Sequence, residues 1–180
     1  MRTRTPREKW LIAAFGAIVL SGYFGITAMG NTDIYSLTRV LTGKNLGCNL
    51  PGIDLSGMHK PETGLAGADL EYAVLSDANL RDSNFTGAFM RHANLSGADL
   101  QNAVLRNAVL NSTDMTNVDL RGADMRDADM QQVHLEGADL QRAVLQRAVL
   151  RFAILREAVL CGADLDGADL HQARLKGARY

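Results

Sequence analysis

A chain of 180 residues is long enough to bury a core of its own, but with only 6% aromatic side chains it lacks the large rings that fill a mixed globular interior. Alanine, leucine, aspartate and arginine recur instead, which is the composition of a repeat. Balanced charge, 19 Lys and Arg against 20 Asp and Glu, excludes the strong field of a nucleic-acid-binding or membrane-adhesive surface, so no nucleic-acid partner is expected.

Four basic residues, Arg2, Arg4, Arg7 and Lys9, precede the uncharged run WLIAAFGAIVLSGYFGITAMG, residues 10–30. Residues 1–30 read as an export segment. Leu11 to Leu20 has the length of a signal-peptide core, and Ala28 and Gly30 supply small residues for cleavage after Gly30. The uncharged run of about 20 residues is also long enough to span a bilayer. Cleaved signal peptide and retained signal anchor therefore both stay open, with membrane attachment through this segment in the second case. A buried core helix fits less well, because nothing else in the chain would cover an all-round apolar helix. Either way the basic end stays cytoplasmic and the body is carried across.

Next, residues 31–45 contain NTDIYSLTRVLTG, with Ile34, Leu37, Val40 and Leu41 on one helical face. Asn31, Thr32 or Asp33 can cap its start and Gly43 can end it. A short amphipathic helix here would cover the open edge of the carboxy-terminal body.

From Leu65 to Leu175 nearly every residue numbered as a multiple of five is leucine, with Phe85, Met90, Met115, Met125 and Met130 as the exceptions. The residue two before is nearly always alanine. In an α-helix, five steps of about 100° turn each leucine some 140° from the last, so no stripe forms. A continuous strand fails too, because its period of two would send successive leucines to opposite faces. The chain must turn once per repeat and return each Ala-x-Leu to one interior. Glycine two positions after the leucine, as at Gly67 and Gly97, suits such a turn by accepting positive φ.

The units GADLEYAVLSDANL, LSGADLQNAVL, LRGADMRDADM and LEGADLQRAVL resemble those of the pentapeptide-repeat family, and the likeness covers about three quarters of the chain. In that family four units make one square coil. The resemblance thus implies an all-β fold, a right-handed quadrilateral β-helix over 46–180, in which residues 20 apart stack on one face. At about 4.8 Å between strands, six coils from Leu65 make a rod of roughly 25 to 30 Å. The stretch LTGKNLGCNLPGIDLSG also resembles the opening of exported members, where a short helix leads into the first coil. Asn45 stands where those members often have a second cysteine, which leaves Cys48, expected to point inward, without a partner. MHKPETG, residues 58–64, departs from the pattern and puts Lys60 on an interior position. An unpaired charge there would cost several kcal/mol, so a local bulge or loop is expected.

No GxSxG, HExxH or phosphate-cradling loop occurs, and His59, His92, His134 and His171 do not fall on neighbouring stacked positions. Cys48 and Cys161 lie far apart without ligand spacing. No enzymatic activity, metal or cofactor is expected.

Two surface features stand out. Asp99, Asp119 and Asp139 are 20 apart and form an acidic ladder that would raise a pKa or hold a cation, unless the carboxylates bond nearby amides and Arg121 moderates their repulsion. The stretch RAVLQRAVLRFAILREAVL leaves Val144, Val149, Ile154 and Val159 facing outward around one coil. Val104 and Val109 are expected one coil below Val144 and Val149, Phe89 continues the column under Val109, and Phe152 adds a ring beside Val149. Arg142, Arg147, Arg151 and Arg156 stand around them. Valine suits a strand edge, but apolar clustering with an arginine rim also describes an interaction patch for an unknown protein partner or for self-association.

The leading expectation is an exported, non-enzymatic β-helical scaffold. An alternative comes from the quinolone-resistance branch of the family, whose members resemble DNA in shape and charge and bind a type II topoisomerase. Interleaved arginines such as Arg106, Arg121 and Arg126 weaken that transfer.

Overall fold

The computed structural model describes residues 49–180. The export segment at 1–30, the capping helix at 31–45 and Cys48 lie outside the described residues. Among the described residues no helix is long and apolar enough to cross a membrane.

The chain winds as a solenoid of five-residue units, each a two-residue turn followed by a short extended segment. Parallel β-bridges join residues 20 apart without a slip, from Asn49 with Asp69 to Val159 with Arg179. We number the coils from this register: coil 1 is 49–68, coil 2 is 69–88, coil 3 is 89–108, coil 4 is 109–128, coil 5 is 129–148 and coil 6 is 149–168, with a partial turn over 169–180. The hydrogen bonds show why the stack holds. The Asp119 amide donates to the Ala98 carbonyl one coil below at 3.0 Å, and the Asp119 carbonyl accepts from the Leu100 amide at 2.8 Å.

Every described turn but the one over 60–63 closes when the amide three residues on donates to the interior residue's carbonyl, as from Ala73 to Leu70 at 3.0 Å. Its third residue is left-handed. Glycine fills that place at Gly97, but Tyr72 with φ +59° and Phe152 with φ +61° adopt the same backbone. A left-handed conformation costs an L-residue with a side chain roughly 1–2 kcal/mol. Closure of the coil therefore overrides local preference.

Interior positions from Leu50 to Leu160 follow the expected frame, and their apolar side chains are at most 3% exposed. Phe85 and the four methionines at 90, 115, 125 and 130 take leucine positions in full burial. Polar side chains in the interior have partners: Thr113 Oγ1 donates to the Met90 carbonyl at 2.8 Å.

The bulge expected over 58–64 does not form. His59 bridges Asn79 and Gly64 bridges Asn84 in unbroken register. Four departures from the repeat, Lys60, Pro61, Thr63 and Ser83, make this possible. Pro61 occupies the second turn position, where its fixed φ fits. Thr63 Oγ1 donates to the Lys60 carbonyl in place of the usual amide, and the Thr63 amide donates instead to Ser83 Oγ at 3.0 Å. Lys60 keeps its place in the ladder through its amide and stays partly exposed, so no fully buried charge arises.

The frame makes opposite forecasts for neighbouring residues. Leu135, fully buried, should cost roughly 3 kcal/mol or more on change to Asp. Glu136→Ala, at the adjoining turn, should shift stability by less than about 1 kcal/mol. Urea unfolding followed by circular dichroism measures both, and equal effects would contradict the interior assignment.

Candidate interaction surface

Four columns of outward residues, each immediately before an interior residue, run along the rod. The first reads Asn49, Asp69, Phe89, Val109, Asp129, Val149 and Asp169. The second includes Asp114, His134, Ile154 and Arg174, the third Asp99, Asp119, Asp139 and Val159, and the fourth Val104, Asp124, Val144 and Asp164.

This register corrects the expected patch. Val104 and Val109 lie two coils below Val144 and Val149, with Asp124 and Asp129 between them. A separation of 40 residues is two turns of the coil. Val144, Val149, Ile154 and Val159 consequently form a girdle around coil 6 and the end of coil 5, bounded below by Asp124, Asp129, His134 and Asp139. Each of the four is half-buried by its neighbours. The one outward apolar pairing between adjacent coils within the patch is Phe89 under Val109. Phe89 and Phe152, 44% and 43% exposed, are its most open members. Two of the four rim arginines are engaged: Arg147 Nε donates to Asp127 at 2.7 Å, and Arg151 stands 3.9 Å from Asp169.

The acidic ladder forms, and every rung is compensated. Asp99, Asp119 and Asp139 stack by parallel bridges. Each accepts the amide two residues on, at 3.2, 3.2 and 3.0 Å for Gln101, Arg121 and Gln141. Arg81 stands 3.1 Å from Asp99, and Arg121 stands 2.6 Å from Asp119 and 3.8 Å from Asp139. Burial pulls the Asp119 carboxyl upward, but hydrogen bonds from the Arg121 side chain and amide, its charge and the Gln101 amide group outweigh it, and the net shift is downward. The pKa rise expected from like charges is therefore absent at this central rung. Among the described residues no group of His, Cys, Asp and Glu is arranged to hold a metal ion. Beside the ladder runs an open groove of about 330 Å³ lined by Gln101, Asn102, Arg121, Gly122, Gln141 and Arg142.

The tightest charge cluster was not singled out from the sequence. Asp124 receives Arg126 at 2.7 Å from its own coil and Arg106 at 2.6 Å from the coil below. The Arg126 hydrogen bond, helped by Arg106 against the opposing effect of burial, holds its carboxyl far below the usual range. A second omission is the aromatic pair Tyr72 and His92, stacked with centroids 5.1 Å apart. Both were findable as residues 20 apart and two after an interior position.

The pentapeptide-repeat model matches in eight copies over residues 65–102, 90–127, 103–142 and 143–179. The chain belongs to the pentapeptide-repeat family. None of the curated proteins matches it in sequence. Among solved structures it is similar to a trypsin-treated form of QnrB1, a plasmid-mediated fluoroquinolone resistance protein, with 22% identity over 74% of this chain and 72% of that one at a TM-score of 0.53. At that identity the likeness supports the fold alone. Lower TM-scores accompany Rfr23 from the cyanobacterium Cyanothece 51142 (25% identity, 81% and 97% coverage, 0.40) and alr5209 from Nostoc Pcc 7120 (31% identity, 48% and 83% coverage, 0.41).

Asp124 yields a pH prediction. Its folded pKa is depressed, so its stabilisation is complete above the unfolded value near 4 and is lost as pH falls through that value toward the folded one. Thermal melting between pH 7 and 2 should show Asp124→Asn less stable than the parent at neutral pH and the gap closing below about pH 4. A gap constant across that range would contradict the assignment.

Proposed function

We propose that this pentapeptide-repeat chain is an exported, non-enzymatic scaffold that presents its faces to another protein or to a second copy of itself. The observation that carries this reading is the outward display of Phe89, Val109 and Phe152 on a rod whose interior is filled. The side chains suited to chemistry along the ladder are engaged in turn bonds and ion pairs. Val104, Val144, Val149, Ile154 and Val159 add partly covered aliphatic surface, with Arg147 and Arg151 at its rim. The basic residues before the apolar run at 10–30 support export, either as a released rod or as one anchored with its repeats outside the cytoplasm. The mass of the mature protein, starting at Met1 or near Asn31, separates the two.

Val109→Asn with Val149→Asn tests the interaction reading, asparagine being used because aspartate would stack four carboxylates from 109 to 169 in the first column. Both positions face outward and are half-buried, so the circular dichroism and melting should stay close to the parent while self-association in sedimentation equilibrium is lost. Unchanged association in the folded double variant would reduce the aliphatic positions to strand propensity.

A second reading, inhibition or protection of a type II topoisomerase by mimicry of DNA, is supported by the fold shared with QnrB1. Against it, Arg81, Arg106, Arg121 and Arg147 each pair with a surface carboxylate and break up the negative field. Under this reading the repeat rod inhibits topoisomerase supercoiling at low salt, and no inhibition at micromolar protein would dismiss it.

A further inference from the structure

The corner following the first column places Gly52, Tyr72, His92 and Ser112 at the same left-handed turn position in coils 1 to 4. Tyr72 is 61% exposed, and its ring lies within 15° of parallel to that of His92, at 5.1 Å between centroids. Rings so close and so nearly parallel must be face to face, since side by side they would overlap. His92 therefore covers the face of Tyr72 that looks toward coil 3. The opposite face looks toward coil 1, where the equivalent residue is Gly52 and the space around an added Cβ is open within 4 Å. Among the described residues the chain thus builds a two-ring stack and leaves its outer face uncovered.

Asp69 and Glu71 stand three residues and one residue before Tyr72, and Arg91, one coil above, pairs with Glu71, so the charge balance beside this face is negative. Glu71, adjoining Tyr72, gives its Oε1 to Arg91 at 3.3 Å, an ion pair that uses one of its two oxygens. An apolar occupant would strip water from these carboxylates without replacing it. A lysine ammonium would satisfy the charge but has no plane to lay on the ring. A guanidinium does both, stacking on an aromatic face and donating in its own plane to a carboxylate.

We propose that the slot between Gly52 and Tyr72 takes an arginine side chain from a partner protein, stacked on the Tyr72 ring and hydrogen-bonded to the second oxygen of Glu71. Arg91 already shows the pairing from the other side. The inference rests on the interaction-module reading only in taking the guanidinium to be a protein's, and it uses neither Val109 nor Val149.

The experiment is a titration of the full-length chain with the peptide acetyl-Gly-Arg-Gly-amide and its lysine and citrulline counterparts, followed by NMR at the Tyr72 and His92 rings. Saturable shifts are expected with the arginine peptide, with affinity roughly fivefold lower for each counterpart, the size of one exposed cation–π contact. Tyr72→Asn should abolish them; its backbone is accommodated, as Asn102, Asn107 and Asn117 hold the same turn position at φ 56°, 55° and 56°. Gly52→Phe should also block binding by filling the slot, and if it fails to fold, Tyr72→Asn still decides. Equal response to arginine and lysine, retained binding in Tyr72→Asn, or no saturable response would each overturn the proposal. Loss of the slot would leave the sedimentation result for Val109 and Val149 untouched, so the two readings fail separately.

Discussion

The rod depends on the closure of one turn, in which the carbonyl of an interior residue accepts the amide three residues on. Four such closures bring the chain back above itself after 20 residues, and only then do amides such as those of Leu100 and Asp119 meet their partners in neighbouring coils. The closure requires a left-handed residue. At Tyr72, Phe152 and Glu157 the chain accepts that conformation without glycine, because relaxing one turn would misalign the bonds and interior side chains of the whole coil. Cooperative packing outweighs a local penalty of roughly 1–2 kcal/mol per site.

The same closure turns the surface into columns, where a residue's neighbour is decided by a separation of 20 rather than by adjacency. Identical carboxylates in one column would repel at about 4.8 Å. The chain relieves this with arginines two positions beyond a column residue, which reach their own coil, as Arg121 does to Asp119, or a neighbouring one, as Arg106 does to Asp124. Individually such exposed pairs contribute little. Their larger effect is to lay alternating charge over a body with more acidic than basic residues.

The interior was legible because its signal is chemical as well as periodic: alanine and leucine three apart from the next unit left no alternative frame, and burial follows it from Leu50 to Leu160. Residues 58–64 misled because Lys60 and Pro61 look foreign to a strand, while the compensation lies in the hydroxyls of Thr63 and Ser83, a pair 20 apart that only the coil brings together. The aliphatic patch was half legible. Its side chains do face outward, but Asp124 and Asp129 divide Val104 and Val109 from the valines above. The Tyr72 and His92 stack was legible only through its separation of 20, because tyrosine lacks the left-handed preference that marks glycine turns in a sequence.

In a solenoid the repeated interior carries little information about purpose, since any member must fill the same space with the same small set of side chains. Departures at the surface are more informative when the backbone opposes them. Valine before an interior leucine agrees with its extended conformation and needs no further reason. Tyrosine at the third turn position disagrees with its backbone, lies 61% exposed and, among the described residues, stacks on His92 by one face. Glycine, asparagine or aspartate would close the same turn at lower conformational cost. A ring retained there against local preference, with carboxylates beside it and Gly52 opposite, is therefore a stronger sign of recognition than the larger but conformationally comfortable aliphatic girdle.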